Sequence, residues 1–81
     1  MTNTQDKIIV YTKDNCPNCN QVKWALNAAG IDFEARNIEE NEGYRQEFDT
    51  YGYMAAPVTV FPSGTVLPGF DMGEFAQELG L

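Results

Sequence analysis

The sequence reads as an α/β protein with the element order βαβαββα. Three observations predict it. Short β-branched and aromatic runs alternate with stretches of helical periodicity, a glycine stands at the end of each helical stretch, and a Ser-Gly pair separates the last two strand signals. Strand–helix–strand units imply parallel pairing with right-handed crossovers, and the closing hairpin implies an antiparallel edge.

The first strand is KIIVYT, residues 7–12, apolar enough for burial on both faces. Residues 16–30 follow as a helix: Val22, Ala25, Leu26 and Ala29 fall at i, i+3, i+4 and i+7, and Gly30 stands where a left-handed C-terminal residue is wanted. DFEARNI, residues 32–38, is the second strand. Residues 41–52 form the second helix, with Tyr44, Phe48 and Tyr51 along one stripe and Gly52 at its end. After Pro57, VTVF (58–61) is the third strand, Ser63-Gly64 the hairpin turn and TVL (65–67) the fourth strand. Asp71 and Glu74 have capping-box spacing at the start of the last helix, Met72, Phe75, Ala76 and Leu79 make its stripe, and Gly80 closes it.

The chain of 81 residues is expected to be one domain, 1–81. A chain this short buries only about 60% of its unfolded surface, so the core must be small. Five basic against twelve acidic residues give a formal charge of −7, which disfavours nucleic acid and anionic lipid as partners and otherwise serves solubility. The opening MTNTQDK is polar and no apolar run approaches the ~20 residues of a membrane span, so a cytoplasmic location is expected. Histidine is absent, which removes thiol–imidazole dyads and zinc sites of the cysteine–histidine kind.

Both cysteines lie in DNCPNCNQV, residues 14–22. Two are too few for a disulfide-stapled scaffold, and in a reducing compartment a close pair reads as catalytic or metal-binding. Structural zinc needs four ligands, so a metal reading requires zinc or an iron–sulfur cluster shared between two chains. Pro17 suits the first helical turn and makes Cys16 the N-cap, while Cys19, three residues before Val22 and seven before Leu26, shares the buried stripe. Cys16 is thus expected to be exposed at the helix mouth and Cys19 tucked beneath it. Only the thiolate is nucleophilic, and a free thiol titrates near ~8.5. Helix N-terminal amides stabilise an anion by ~0.3–1 kcal/mol, up to ~2 when partly buried, enough to bring Cys16 towards neutrality. Lys13 pushes the same way; Asp14 opposes it, but is expected to turn to solvent. A CxxC that follows a strand and opens an amphipathic helix points to dithiol redox chemistry.

VYTKDNCPNC, AAPVTVF and PGFD resemble the corresponding blocks of the glutaredoxin and NrdH-type redoxin families, from Lys7 to Leu79 and in the same order. The resemblance implies a thioredoxin-like fold with a four-stranded mixed sheet flanked by three helices. It implies thiol–disulfide oxidoreductase activity through a redox-active Cys16–Cys19 disulfide, with no bound cofactor or metal, Cys16 attacking and Cys19 resolving. It also implies that Pro57 is a cis-proline, although an ordinary strand-start proline fits the sequence alone equally well, and that the backbone of Ala56 pairs with a bound thiol peptide as an extra strand. Gly69 would let a partner backbone approach and Phe70 would present an apolar contact; their alternatives are a turn glycine and a core aromatic. Tyr11 is either beside the site or a half-buried strand residue. Trp24, off the buried stripe, is solvent-facing or part of a docking face, and Glu39, Glu40 and Glu42 read as a solvated acidic turn.

Two subfamilies divide these features. Ala56-Pro57-Val58 and Gly69-Phe70 resemble the NrdH type, which takes electrons from thioredoxin reductase and delivers them to ribonucleotide reductase. Pro17 and Asp71 resemble glutathione-dependent glutaredoxins, where the matching aspartate helps hold glutathione's amino end. Asn18 matches neither, and a residue between the cysteines can shift the potential by the ~30 mV that is tenfold in equilibrium constant. The expected protein is a monomeric NrdH-type carrier with Lys13, Pro17, Asn18, Ala56, Pro57, Gly69, Phe70 and Asp71 around the dithiol. Its alternatives are a glutathione-dependent glutaredoxin and a non-catalytic thioredoxin-fold binding subunit.

Overall fold

The computed structural model describes residues 7–80; the ends of the expected 1–81 domain lie outside them. The elements are β1 (Ile8–Thr12), α1 (Pro17–Ala28), β2 (Phe33–Asn37), α2 (Glu42–Asp49), β3 (Val58–Val60), β4 (Val66–Pro68) and α3 (Met72–Leu79). The order expected from the sequence is the order observed, with the fourth strand displaced by one residue and the second helix ending before Tyr51.

Helix boundaries follow local chemistry. Asn41 caps α2, its Oδ1 accepting from the Tyr44 N–H at 3.1 Å, and Asp71 caps α3, its Oδ1 accepting from the Glu74 N–H at 3.0 Å. Each satisfies an amide that the first turn leaves without a partner, a contribution of about 1 kcal/mol. At the β3–β4 hairpin Gly64 adopts φ +97, where a side chain would be strained, and donates its N–H to the Phe61 carbonyl at 2.8 Å.

The four strands form one sheet in the order β2-β1-β3-β4. β1 pairs in parallel with β2, as the strand–helix–strand reading required. The second unit departs from it: β3 runs antiparallel to β1. Val58, the first residue of β3, pairs with Tyr11 near the C-terminal end of β1, so β3 enters at that end and runs the other way. β4 closes the edge antiparallel to β3.

The alternation of β1 divides the core. Ile8 and Val10 pack with Val22 and Leu26 of α1, Phe61, and Phe75 of α3. Tyr11, on the opposite face, packs with Ile38, Phe48 of α2, Val58 and Val60. Three stripe residues expected inside are instead exposed: Ala29, the C-cap of α1, Met72, in the first turn of α3, and Tyr51, beyond the end of α2.

Tyr11 is a fully buried core residue on the α2 side of the sheet. Its phenol donates to Glu47 Oε1 at 2.9 Å, and the same oxygen accepts from Arg36 Nη1 at 2.6 Å. Arg36 also binds Glu34 at 2.7 Å and lies over the Tyr44 ring. The hydrogen bond from Arg36 holds the Glu34 carboxyl below its usual range. Burial, and then the bond to Glu47, push the Tyr11 phenol well above its ordinary value. Folding therefore favours the neutral phenol. Its contribution is intact below the unfolded-state pKa of ~10 and is lost as pH rises through the higher folded value. Tyr11→Phe should lower stability at pH 7 by about 0.5–1.5 kcal/mol and should soften the decline above pH ~10. Urea unfolding at neutral and alkaline pH, followed by circular dichroism, checks both.

Candidate active site

The C-terminal end of β1 delivers the chain into a sharp turn. Asn15 takes φ +53, a left-handed conformation that asparagine tolerates better than most residues, and Cys16 follows in extended geometry as the N-cap of α1. Pro17 occupies the first helical turn, where its missing N–H costs nothing. Cys16 Sγ accepts from the Cys19 N–H at 3.2 Å, so the sulfur sits on the amides that the helix leaves unpaired. Cys16 and Cys19 are joined as a disulfide with their Cα atoms 5.2 Å apart.

The two sulfurs differ, but by less than the sequence suggested. Cys19 is fully buried, whereas Cys16 retains 6% of its surface. The expected open exposure of Cys16 is corrected by a segment distant in sequence: the loop ahead of β3 lies against it, with the Ala56 carbonyl oxygen 3.9 Å from Sγ. That loop contains a cis peptide bond, Ala56–Pro57.

Beside the disulfide lies a groove of about 450 Å³ lined by Asn18, Tyr53, Met54, Ala55, Ala56, Pro57, Pro68 and Gly69, none of them charged. Four sequence-derived residues, Asn18, Ala56, Pro57 and Gly69, therefore meet there. Gly69 has φ +70 and donates to the Pro57 carbonyl at 2.8 Å, and a Cβ on it would meet nothing within 4 Å. Its backbone angle, rather than crowding, calls for glycine.

The remaining candidates lie outside the groove lining. Pro17 and Lys13 are exposed on either side of Cys16. Phe70 is half-buried with its ring 5.5 Å from that of Phe75, the core placement. Asp71 is exposed but engaged as the cap of α3. Sequence reasoning missed Tyr53 and Met54; the available signal was a large apolar residue, Met54, in an aperiodic stretch just before Pro57, and it is 99% exposed.

Asp14 does not simply turn to solvent. Its Oδ1 accepts from Asn37 Nδ2 at 3.0 Å, and its N–H donates to Glu39 Oε1 at 3.1 Å. Glu39, read as part of a solvated turn, is thereby tied to the approach to Cys16.

The glutaredoxin family model matches residues 8–65 of the chain. The glutaredoxin-like protein NrdH of Lactococcus lactis subsp. lactis (strain IL1403) is similar to it, 33% identical over 70 residues that cover 86% of this chain and 96% of that protein. The gene 56 protein of Mycobacterium phage L5 is 36% identical over 65 residues, 79% of this chain; the chain spans only 63% of that protein's length. Among solved structures, the thioredoxin-like protein BC3987 superposes with a TM-score of 0.80 at 29% identity, over 88% of this chain and 97% of its own. The NrdH-redoxin from Escherichia coli does so with a TM-score of 0.79 over 88% and 92%, and at 24% identity the likeness is one of fold.

The burial difference and the cap on Cys16 set an order of reactivity. In the reduced protein at pH 7, iodoacetamide should modify Cys16 well ahead of Cys19, as read by peptide mass spectrometry. Equal rates, or Cys19 first, would contradict the assignment of the helix-capping sulfur as the reactive one.

Proposed function

This chain belongs to the glutaredoxin family of thiol–disulfide oxidoreductases, and we propose that within it the protein works as an NrdH-type redoxin. On this reading it is a single-domain, monomeric, cytoplasmic carrier that takes two electrons from thioredoxin reductase and reduces protein disulfides, that of ribonucleotide reductase among them. Among the described residues no helix is long and apolar enough to cross a membrane.

The exchange needs only the two sulfurs. The Cys16 thiolate attacks one sulfur of a target disulfide, forming a mixed disulfide and expelling the other target sulfur as a thiolate. The Cys19 thiolate then attacks Cys16 Sγ, releasing the second target thiol and leaving the Cys16–Cys19 disulfide. The target gains two electrons and two protons, and the carrier loses them. Reduction by the donor reverses the sequence. Cys19 lies within the reach this demands, already bonded to Cys16 across one helical turn.

The observation that carries the choice of donor is the uncharged lining of the groove. Glutathione carries two carboxylates and needs fixed positive charge. The chain has five cations against twelve acids, and none of the five lines the groove. Each exposed charge contact is worth ~0.2–1 kcal/mol, so the loss of two or three weakens such a ligand about tenfold. A protein partner instead offers main-chain pairing along Ala56 and apolar contact with Tyr53, Met54 and Pro57. The glutathione-dependent alternative rests on Asp71, whose exposed carboxylate could face an ammonium group while capping α3.

Turnover of a disulfide substrate should be faster with NADPH and thioredoxin reductase than with millimolar glutathione and its reductase. A higher rate with glutathione that Asp71→Ala abolishes would make the protein a glutathione-dependent glutaredoxin. For the division of labour, Cys19→Ser should trap covalent partners released by dithiothreitol, whereas Cys16→Ser should trap few.

A further inference from the structure

The turn that presents Cys16 is held from outside. The end of β2 and the loop after it reach it through a chain of hydrogen bonds: Asn37 Nδ2 donates to Asp14 Oδ1 at 3.0 Å, Glu39 Oε1 accepts from the Asp14 N–H at 3.1 Å, and Asn37 Oδ1 accepts from the Glu39 N–H at 2.8 Å. The Ile38 N–H donates to the Thr12 carbonyl at 2.9 Å and continues the β1–β2 pairing into this region. Asp14 is thus gripped by both its carboxylate and its amide. The next residue, Asn15, carries the left-handed φ of +53, and the one after it is the cap.

We propose that Asn37 and Glu39 are positioning residues for Cys16: by clasping Asp14 they hold the left-handed turn at Asn15, and so keep the Cys16 sulfur seated on the amides of α1. This rests on the reading above in which Cys16 is the attacking thiol. Asparagine tolerates this left-handed conformation better than most residues, though still at a cost, so contacts that fix the turn help to hold it. The residues gripping this turn come from β2 and the loop after it, not from α1. A sulfur displaced from the helix mouth loses the stabilisation that favours its thiolate.

Charge alone predicts the opposite result, which makes the idea testable. The charged groups around Cys16 are Lys13 and Asp14 before it and Glu39 in the clasp; Ala56 and Pro57, which meet it from the β3 side, carry none. Removing the Glu39 anion should by itself favour the thiolate. The proposal expects Glu39→Gln, which keeps an acceptor for the Asp14 N–H, to match or exceed the parent rate. Glu39→Ala, which loses both anion and acceptor, should fall below it.

The experiment is the pH profile of iodoacetamide modification of Cys16 in the reduced full chain, with urea midpoints measured alongside. Asn37→Ala and Glu39→Ala should react about two- to fivefold more slowly than the parent at pH 6.5 and converge with it at pH 9.5, where the thiol is ionised in all. A parent profile for Asn37→Ala, or an equal rise in both Glu39 variants, would overturn the clasp. If Asn37→Ala does not fold, the Glu39 pair decides alone. Failure of the underlying reading would look different, since Cys19 would then be the faster thiol in the parent itself.

Discussion

Strand β1 is hydrogen-bonded along both edges, in parallel to β2 and antiparallel to β3, and the site is laid out from its C-terminal end. Three segments converge there: the turn into α1, the loop after β2 and the loop ahead of β3. The first brings the sulfurs, the second the hydrogen bonds that hold the turn, the third the groove. A slip of one residue in β1 would exchange Val10 for Tyr11 between the two halves of the core. It would also carry Cys16 away from Ala56. The register of one buried strand is therefore also the register of the chemistry.

On the proposed mechanism the Cys16 sulfur must act as an anion in a protein of charge −7, an electrostatic conflict. The fold resolves it locally. Amide dipoles of α1 touch the Cys16 sulfur, whereas the general negative field of exposed carboxylates is screened over ~10 Å of electrolyte. Several of the acids near the sheet are bound to partners: Asp14 to Asn37, Glu34 and Glu47 to Arg36. The Arg36 network does for α2 what the loop after β2 does for the Cys16 turn, tying an element to the sheet with groups that would otherwise repel one another.

What could be read from the sequence was what depends on neighbours in sequence. Asp71 precedes its helix because it needs only an amide a few residues away, and Gly30 and Gly80 take positive φ where a helix must stop. Pro17 and the spacing of Cys19 from Val22 and Leu26 placed both sulfurs on α1 in the right order of burial. The misreadings came from residues brought together across long stretches of chain. Cys16 is covered by a loop forty residues away, and Asp14 is engaged by Asn37 and Glu39. Helical spacing cannot report whether a terminal position such as Met72 has a neighbour to bury it. The reversed direction of β3 likewise hinged on an irregular stretch, 50–57, which carries no period to read.

Trp24, the chain's single tryptophan, stands 66% exposed on α1, little more than a turn beyond Cys19. Its indole already meets water in the native fold, so the colour of its emission has little further to move when the chain unfolds. Optically it is a poor gauge of folding. A protein settling over that side of α1 would instead take the indole out of water and shift its emission to the blue. The molecule thus carries an intrinsic fluorophore suited to following complexes at this helix rather than the integrity of the core.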